Sequence, residues 1–494
     1  MYLGIDIGTS SVKVVVVDGD QTILATATAP LTVSRPRELW SEQDPQDWWT
    51  AVGAAVSELR HKAGPAWHEV KAIGLSGQMH GAVLLDEAGQ PIRPAILHND
   101  GRSHAEAEEL NKRLPEIGTI AGVPAMPGFA APKLMWLSRH EPDVLARARH
   151  LLLPKDYVRF RMTGGFATDM CDGSGALLFD GAKRDWSPEI AAAVGIPLSL
   201  LPTPLEGSTV CGLLQGQVAR DWGLSPGTIV ATGAGDAAAG AVASGAVNEG
   251  DAFISLGTAA QYFVARESYH PAPEHLIHTF CHALPGRWFQ MAALLNGAGA
   301  LAWAAGLLGR ADIGQLLADT ERAFTGPSPV LFLPYLSGER TPHNNAHAKG
   351  VLFGLTPATT PEQVTQAVLE GVALSLADAQ GYLEATGRLP DRIAVNGGGS
   401  KSRFWMKILA SALNKTVLLQ EGSETGPAFG AARLARLAAT GEEPATVCTK
   451  PGIAAEIAPD PALASAYARR LGQFRNLYKA LVPLFPAADG SSEI

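Results

Sequence analysis

The chain opens with a pattern of apolar and polar positions that predicts a β-hairpin. Residues 3–7 and 12–18 are runs of mainly Leu, Ile and Val, and the small polar residues 8–11 separate them. Short apolar runs joined by a small polar turn are typical of two strands connected by a tight tip. We therefore expect a hairpin whose tip presents small residues and hydroxyl groups.

The same pattern returns in the middle of the chain. Residues 251–256 and 260–265 are again apolar runs, and Gly-Thr-Ala at 257–259 forms the turn. Such a repeat indicates a duplicated fold, and 494 residues exceed what one hydrophobic core usually serves. We predict two lobes, residues 1–246 and residues 247–494, on either side of a central cleft.

Further elements follow the first hairpin. Residues 45–62 have apolar positions at helical spacing and come directly after Asp44, a preferred type of N-cap residue, so they predict a helix. An apolar strand is expected over residues 70–75, and it ends in the polar, Gly-flanked residues 76–81. Open α/β sheets bind ligands where strands end in such loops.

Residues 462–481 predict a helix with an apolar stripe near the C-terminus. The stripe consists of Tyr467, Leu471, Phe474, Tyr478 and Leu481. Its heptad-like spacing has two interpretations, the seam of a homodimer or packing against the lobe that contains it.

Composition argues against several kinds of partner and site. An apolar fraction of 46% with 18% charged residues is that of a globular protein, and a net charge of −9 argues against bulk electrostatic binding of nucleic acid or of an anionic membrane. Cys171, Cys211, Cys281 and Cys448 are too widely spaced to indicate a disulfide framework or a zinc site. No basic leader precedes Tyr2 and no stretch is apolar enough for a membrane span, so a soluble, cytoplasmic protein is expected.

The first hairpin tip has the groups needed to hold an anion. Gly8, Thr9, Ser10 and Lys13 supply backbone and side-chain donors, and Asp6 on the preceding strand could orient a hydrated metal ion. A single turn of this kind is usually only a turn. Whether this turn binds an anion depends on which other groups of the fold lie opposite it.

Two other turns provide that context. Gly257 and Thr258 form the tip of the second hairpin, and residues 396–402, Asn-Gly-Gly-Gly-Ser-Lys-Ser, join an apolar strand to a helix that starts near Phe404. A Gly-rich turn leading into a helix N-terminus presents backbone N–H groups to phosphate. Matched turns on two facing lobes indicate a polyphosphate site in the cleft.

Asp236 is the only charged residue in a Gly- and Ala-rich stretch, residues 233–240, that follows the predicted strand 228–232. Taken alone, an Asp in this context is best explained as a helix N-cap. Its position just before the lobe boundary favours a second interpretation, a general base that reaches both an acceptor hydroxyl and the γ-phosphate.

Longer motifs add a family resemblance. They occupy residues 4–10, 76–81, 99–102, 132–136, 153–157, 255–258, 332–342, 350–355 and 363–370. Over essentially its whole length the chain resembles the FGGY family of carbohydrate kinases, and within it the bacterial xylulokinases.

The resemblance implies a two-lobed α/β fold of the actin-like, ribonuclease-H-like type and ATP- and Mg²⁺-dependent phosphorylation of a ketopentose, D-xylulose to D-xylulose 5-phosphate. It implies that Asp236 is the general base and that Asp6 and Asp236 contact Mg²⁺ through water. The sugar-binding residues that it implies are Gln78, Met79, His80, Asn99, Asp100, Arg102 and Ala237. The ATP-binding residues that it implies are Gly8, Thr9, Ser10, Lys13, Gly257, Thr258, Asn296, Gly297, Gly397, Gly398, Gly399, Ser400 and Ser402.

The chain also departs from the family pattern. Ala237 stands where Asn usually follows the base, His98 stands where Trp usually precedes Asn-Asp, and Ala130 replaces a hydroxyl residue. Losing a buried amide near a sugar alters which hydroxyl groups the site can read. Two alternatives stay open, a kinase for another small ketose or polyol (ribulose, a deoxy-ketose or a tetritol) and an ATP-binding switch of the actin type.

Overall fold

The computed structural model describes residues 1–422 and 426–485, and most of its strands lie in two seven-stranded sheets. The first sheet has the order Val210–Leu213, Ile229–Ala231, Ala72–Gly77, Tyr2–Ile7, Ser11–Val17 and Ile23–Pro30, with Ala234–Gly235 paired to the end of Ala72–Gly77. The second has the order His278–Cys281, Trp288–Leu294, Ala260–Arg266, Ala252–Leu256, Arg392–Asn396, Thr416–Gln420 and Ile453–Ile457.

Helices and small two-stranded sheets surround these two sheets. The paired short strands are Glu42–Gln43 with Ala95–Ile96, Val83–Leu85 with His150–Leu152, Ala167–Asp169 with Thr203–Leu205, Phe179–Asp180 with Asp185–Trp186, and Leu331–Leu333 with Val351–Phe353. The α-helices are Pro45–Ala63, His104–Arg113, Ile117–Ala121, Ala130–His140, Pro142–Arg147, Pro154–Thr163, Met170–Gly175, Pro188–Val194, Gly216–Trp222, Asp236–Ser244, Gly299–Leu307, Ile313–Ala323, Pro361–Thr386, Arg403–Leu413, Gly426–Thr440, Pro444–Val447 and Pro461–Leu481.

Both predicted hairpins are confirmed, and they occupy matching places in the two sheets. In the first, Tyr2–Ile7 pairs antiparallel with Ser11–Val17 and parallel with Ala72–Gly77. In the second, Ala252–Leu256 pairs antiparallel with its hairpin partner and parallel with Arg392–Asn396. Parallel strands bring their carboxyl ends to one edge of each sheet, so hairpin tips and strand ends collect there.

The predicted helix over residues 45–62 is the Pro45–Ala63 helix, and the carboxylate of Asp44 accepts the backbone N–H of Gln46 at 2.9 Å. The strand expected over residues 70–75 is Ala72–Gly77, two residues further on. It begins later because Val70 still closes the short 3₁₀ turn before it, donating its N–H to the carbonyl of Trp67 at 3.2 Å.

The apolar stripe of the Pro461–Leu481 helix packs against its own lobe. Tyr467 and Phe474 are buried in the core that also contains the apolar side chains of the Pro361–Thr386 helix, and Tyr478 lies at its margin. Burial in the core accounts for the heptad-like spacing. The spacing of the stripe is explained without a homodimer, which stays a prediction.

Two helices cross between the sheets. Three glycines allow the contact, because a Cβ on Gly4, Gly74 or Gly430 would lie 1.9 Å from the carbonyl oxygen of Ala428, Ala431 or Ala239 respectively. The Gly426–Thr440 helix thus packs on the first sheet, and the Asp236–Ser244 helix, which it crosses, lies against Phe253 of the second sheet. Asp236 is the first residue of the Asp236–Ser244 helix and therefore lies at the carboxyl edge of the first sheet.

Among the described residues, no helix combines the length and the apolar character that crossing a bilayer requires.

Candidate active site

The register of three neighbouring strands brings Asp6 and Asp236 to the same edge of the first sheet. Asp6 pairs with Ser76, and Ser76 pairs in turn with Ala234, two residues before Asp236. Neighbouring strands lie about 4.8 Å apart, so the backbones at Asp6 and Ala234 are separated by roughly 10 Å. Asp236 is the first residue of its helix and Gly235 is the N-cap, so the N-cap interpretation is wrong by one residue.

Both carboxyl groups have raised pKa values. Burial, and to a smaller extent the negative charge of Asp6, raises the pKa of Asp236 to about 7. A hydrogen bond of 2.7 Å from the N–H of Ala237 acts in the opposite direction. Burial raises the pKa of Asp6 to about 6, against the opposing effects of the nearby Ser76 hydroxyl and of the positive charge of Lys13. The buried Oδ1 of Asp6 has no hydrogen-bond partner among the described residues. Two nearby carboxylates, one with an unpartnered oxygen, fit a hydrated Mg²⁺, which prefers oxygen ligands and retains several waters.

Met79 packs next to Asp236, and His80 follows it in the same loop. A Cβ on Gly235 would lie 2.6 Å from Cγ of Met79, so this side chain packs directly on the residue before Asp236. His80 has a positive φ of 70°, a strained conformation for a non-glycine residue that is often found at functional sites. The surrounding structure holds it there, because the ammonium group of Lys133 donates to the carbonyl of His80 at 2.8 Å.

The imidazole of His80 is oriented by one strong contact. Its Nδ1 lies 2.6 Å from the carbonyl oxygen of Gly175, which can only accept, so Nδ1 carries the proton. Burial holds the pKa of His80 well below its ordinary value, so the ring is neutral. Nε2 is therefore a hydrogen-bond acceptor suited to a hydroxyl group.

The first hairpin tip is tied to the loop that contains Met79 and His80. The hydroxyl of Thr9 donates to the amide oxygen of Gln78 at 3.2 Å, and the amide nitrogen of Gln78 donates to Gln43 at 2.9 Å. Gln43 donates in turn to the carbonyl of Thr9 at 2.8 Å. Gln78 thus holds the tip in place, and direct sugar contact by Gln78 stays a prediction. Gly8 and Ser10 lie in the same tip, and Lys13 stands opposite Asp6 in the hairpin.

The second lobe brings its predicted ATP-binding residues together at one edge. The backbone N–H groups of Gly297 and Ala298 donate to the carbonyls of Thr258 and Gly257 at 2.8 and 2.6 Å. Gly397 lies on the other side of this tip, where a Cβ would come within 2.7 Å of the carbonyl oxygen of Leu256. The three turns therefore form one backbone-lined edge.

Other predicted residues of this edge have structural contacts of their own. Asn296 donates to the carbonyl of Gly338 at 2.8 Å, and the hydroxyl of Ser402 caps the Arg403–Leu413 helix by accepting the N–H of Trp405 at 3.2 Å. Ser400 donates to the carbonyl of Gly397 at 2.8 Å, next to Gly398 and Gly399. The ATP contacts of these residues stay predictions.

The 99–102 motif mostly faces protein groups. The carboxylate of Asp100 accepts the N–H of Ser41 at 2.6 Å and Nε of Arg102 at 2.8 Å. Arg102 also pairs with Glu42 at 2.8 Å and lies 3.5 Å above the ring of Trp40. Asn99 is exposed, and Ala237 is buried directly behind Asp236. Sugar contacts by Asn99, Asp100, Arg102 and Ala237 stay predictions.

A buried ion network beneath the site was not predicted. Lys155 lies 2.6 Å from Asp169 and 3.1 Å from Asp172, and Arg159 pairs with Asp156 at 2.9 Å. All of these side chains are fully buried. The guanidinium of Arg159 also donates to the carbonyl of Thr232, which lies between the Ile229–Ala231 strand and Asp236.

The network also reaches His80, because Asp169 caps the Met170–Gly175 helix, whose last carbonyl orients that imidazole. Residues 153–157 stood out in the sequence only as a motif of the resemblance. Their partners are separated in sequence, so spacing alone could not reveal the network.

The chain matches known proteins along most of its length. Residues 1–243 match the N-terminal domain of the FGGY family of carbohydrate kinases, and residues 252–439 match its C-terminal domain. It is 46% identical to a xylulose kinase of Escherichia coli (strain K12) and 44% identical to one of Klebsiella pneumoniae, in each case over 98% of this chain and 100% of the relative.

The fold has an equally similar counterpart. The crystal structure of a xyloylose kinase from Brucella ovis is 44% identical in sequence and superposes with a TM-score of 0.94, over 98% of this chain and 99% of that one. The predicted resemblance and the two-lobed actin-like fold class are thereby confirmed.

Proposed function

The chain belongs to the FGGY family of carbohydrate kinases, and from this premise we propose that it transfers the γ-phosphoryl group of ATP to the terminal hydroxyl of D-xylulose, giving D-xylulose 5-phosphate. Proteins described as xylulose kinases align with it from end to end at 44–46% identity. The observation that carries the proposal is the position of Asp236 at the carboxyl edge of the first sheet, next to Asp6 and Met79, where burial raises its pKa to about 7.

Asp236 acts as the general base. A carboxylate with a pKa near neutrality is ionised often enough to accept a proton and basic enough to take it from a hydroxyl group. The neutral ring of His80 orients the sugar by accepting a hydrogen bond at Nε2. Phosphoryl transfer needs positioning and charge stabilisation more than covalent help, so a base, a metal ion and backbone donors suffice.

The facing turns bind ATP. Thr9 offers backbone and Ser10 an exposed hydroxyl from the first lobe, and Gly257, Thr258 and Gly397 offer backbone from the second. Asp6 and Asp236 would hold Mg²⁺ through water, and the ion supplies charge neutralisation on the triphosphate. Closure of the lobes would exclude water and suppress hydrolysis of ATP.

We also propose the lobe boundary near residue 246, with residues 1–246 binding the sugar and residues 247–494 binding ATP. The strands of the first sheet all precede residue 236 and those of the second all follow residue 251. The Gly426–Thr440 helix is the element that crosses back to the first sheet.

The second candidate is a kinase for another small ketose or polyol, favoured by Ala237 and His98. Measuring ADP release with D-xylulose, D-ribulose, a deoxy-ketose and erythritol separates the two. We expect the highest kcat/KM with D-xylulose, and a clear preference for any other sugar would replace it as the substrate.

Asp236→Ala tests the base. We expect kcat to fall by a factor of about 10² to 10⁴, the usual contribution of general base catalysis, while ATP binding measured by calorimetry is retained. Asp221→Ala, which removes an exposed carboxylate, serves as the control. Near-normal turnover by the Asp236 variant would show that the base has been misassigned.

A further inference from the structure

The His278–Cys281 strand lies at the seam between the two lobes. It is the edge strand of the second sheet, yet its backbone bonds to the first lobe. The N–H of Thr279 donates to the carbonyl of Gly122 at 3.0 Å, and the N–H of Cys281 donates to the hydroxyl of Ser174 at 3.2 Å. Ser174 directly precedes Gly175, whose carbonyl orients His80, so this strand reaches the sugar side of the cleft.

His278 is buried there without a polar partner. The residue is 1% exposed, and neither Nδ1 nor Nε2 has a hydrogen-bond partner among the described residues. Buried polar groups are almost always satisfied, because an unmade hydrogen bond costs the full desolvation penalty of the group. A ring with two unpaired nitrogens therefore calls for a ligand or a water molecule.

The surroundings of His278 connect it to the proposed sugar site. Its ring lies 5.7 Å from that of Phe129, and Phe129 meets the edge of the His80 ring at 4.6 Å. Arg340, also of the second lobe, donates to the carbonyl of His98 at 3.1 Å. The ring of Phe280 also lies between the two imidazoles, 5.4 Å from that of His278 and 6.3 Å from that of His80, so His80 and His278 border the same aromatic cluster.

We propose that His278 is a specificity-determining residue that hydrogen-bonds a hydroxyl or carbonyl oxygen of the bound sugar from the second lobe. The inference rests on the proposed function and deepens it. A neutral imidazole can donate from one nitrogen and accept at the other, which suits a sugar hydroxyl. The sugar then bridges His80 of the first lobe and His278 of the second, so its binding favours the closed arrangement.

His278→Phe provides the test, because phenylalanine keeps a flat ring between its aromatic neighbours and removes both nitrogens. The full-length variant is assayed with the best sugar of the wild type and with its 1-, 3- and 4-deoxy analogues. We expect a rise of about 10- to 100-fold in the KM for the sugar and an unchanged KM for ATP. The wild type should use the deoxy analogue that lacks the oxygen bound by His278 less efficiently than the full sugar. In His278→Phe we expect most of this difference in kcat/KM to disappear, because the variant cannot form that hydrogen bond with either compound.

His282→Phe is the matched control. His282 lies on the same segment and is equally buried, but both of its nitrogens have protein partners, the carbonyl of Ala246 and the N–H of Leu284, each at 3.3 Å. We expect this variant to lose thermal stability and to keep the sugar selectivity of the wild type. His278→Gln, which retains hydrogen-bonding groups, provides a second variant should the phenylalanine not fold, and we expect it to alter the order of the deoxy analogues.

The inference is overturned if the folded His278 variants rank the sugars as the wild type does, since the ring would then only pack or bind water. A wild type that phosphorylates none of the sugars refutes the proposed function instead. Calorimetric binding of the sugar without ATP, weakened by His278→Phe and unaffected by His282→Phe, gives a readout independent of turnover.

Discussion

The negative charge of Asp6 raises the pKa of Asp236 across the carboxyl edge of the first sheet. Burial is the larger cause, and together they bring this pKa to about 7. The strand register fixes the relationship, because Asp6, Ser76 and Ala234 stand side by side in adjacent strands. A base and a potential metal ligand are thus held together by the sheet itself.

Removing the charge of Asp6 should move the pH profile. In Asp6→Asn the pKa of Asp236 loses one of its two causes, so it falls below about 7 but stays above its ordinary value, because burial remains. We expect the acidic limb of kcat/KM for the sugar, where activity falls about tenfold per pH unit, to shift to lower pH even if the maximum rate drops.

Asp20→Asn, on an exposed loop, is the control and should leave the limb in place. An unmoved limb in the Asp6 variant would mean that Asp6 does not act on the titrating group.

The raised pKa of Asp236 should also cost stability. The folded protein binds this proton more tightly than the unfolded chain, so stability declines as pH rises from about 4 to about 7 and is constant above. Asp236→Asn removes this titration. We expect its Tm to exceed that of the wild type by about 2 °C or more at pH 8, with the difference shrinking towards pH 4.

Differential scanning calorimetry of both proteins from pH 4 to pH 8 makes the measurement. A difference that does not depend on pH would point to packing and not to the buried charge.

The glycines beside the second hairpin tip should affect ATP and not the sugar. Gly397 has a φ of +90° and a Cβ there would contact the carbonyl of Leu256, while a Cβ on Gly297 would lie 2.5 Å from the carbonyl of Ala259. Either alanine substitution must displace the backbone that is proposed to hold phosphate. We expect the KM for ATP to rise about tenfold or more, with the KM for the sugar changed less than twofold.

Gly306→Ala, where nothing lies within 4 Å, is the control in a neighbouring helix. Equal effects on both substrates would indicate general distortion of the lobe.

The sequence predicted the hairpins and the Pro45–Ala63 helix because these depend on local signals, namely runs of apolar residues, a capping side chain and turn residues. It did not reveal that Asp100 and Arg102 pair with one another, or that Lys155 neutralises Asp169 and Asp172, since such pairs form only in the folded chain. Lone histidines such as His278 belong to no motif, and only burial shows that they lack partners.

The contact between the two central helices should tolerate added side-chain volume least. A Cβ on Gly430 would lie 1.9 Å from the carbonyl oxygen of Ala239, an impossible distance, so Gly430→Ala must push the Gly426–Thr440 helix away from the Asp236–Ser244 helix. Alanine is favoured over glycine by about 1 kcal/mol within a helix, and overpacking costs about 1–3 kcal/mol. We expect overpacking to win, because the obstacle is backbone and not a flexible side chain.

The expected result is a lower Tm together with a lower kcat, since the Asp236–Ser244 helix, against which Gly430 packs, begins at Asp236. Gly381→Ala is the matched control within the Pro361–Thr386 helix, where the nearest atom is the flexible end of Arg475 at 3.4 Å, and it should be neutral or slightly stabilising. If Gly430→Ala instead raised the Tm and left kcat intact, helix propensity would outweigh the contact and the helices would have room to separate. Thermal unfolding and steady-state kinetics on the same preparations distinguish the two results.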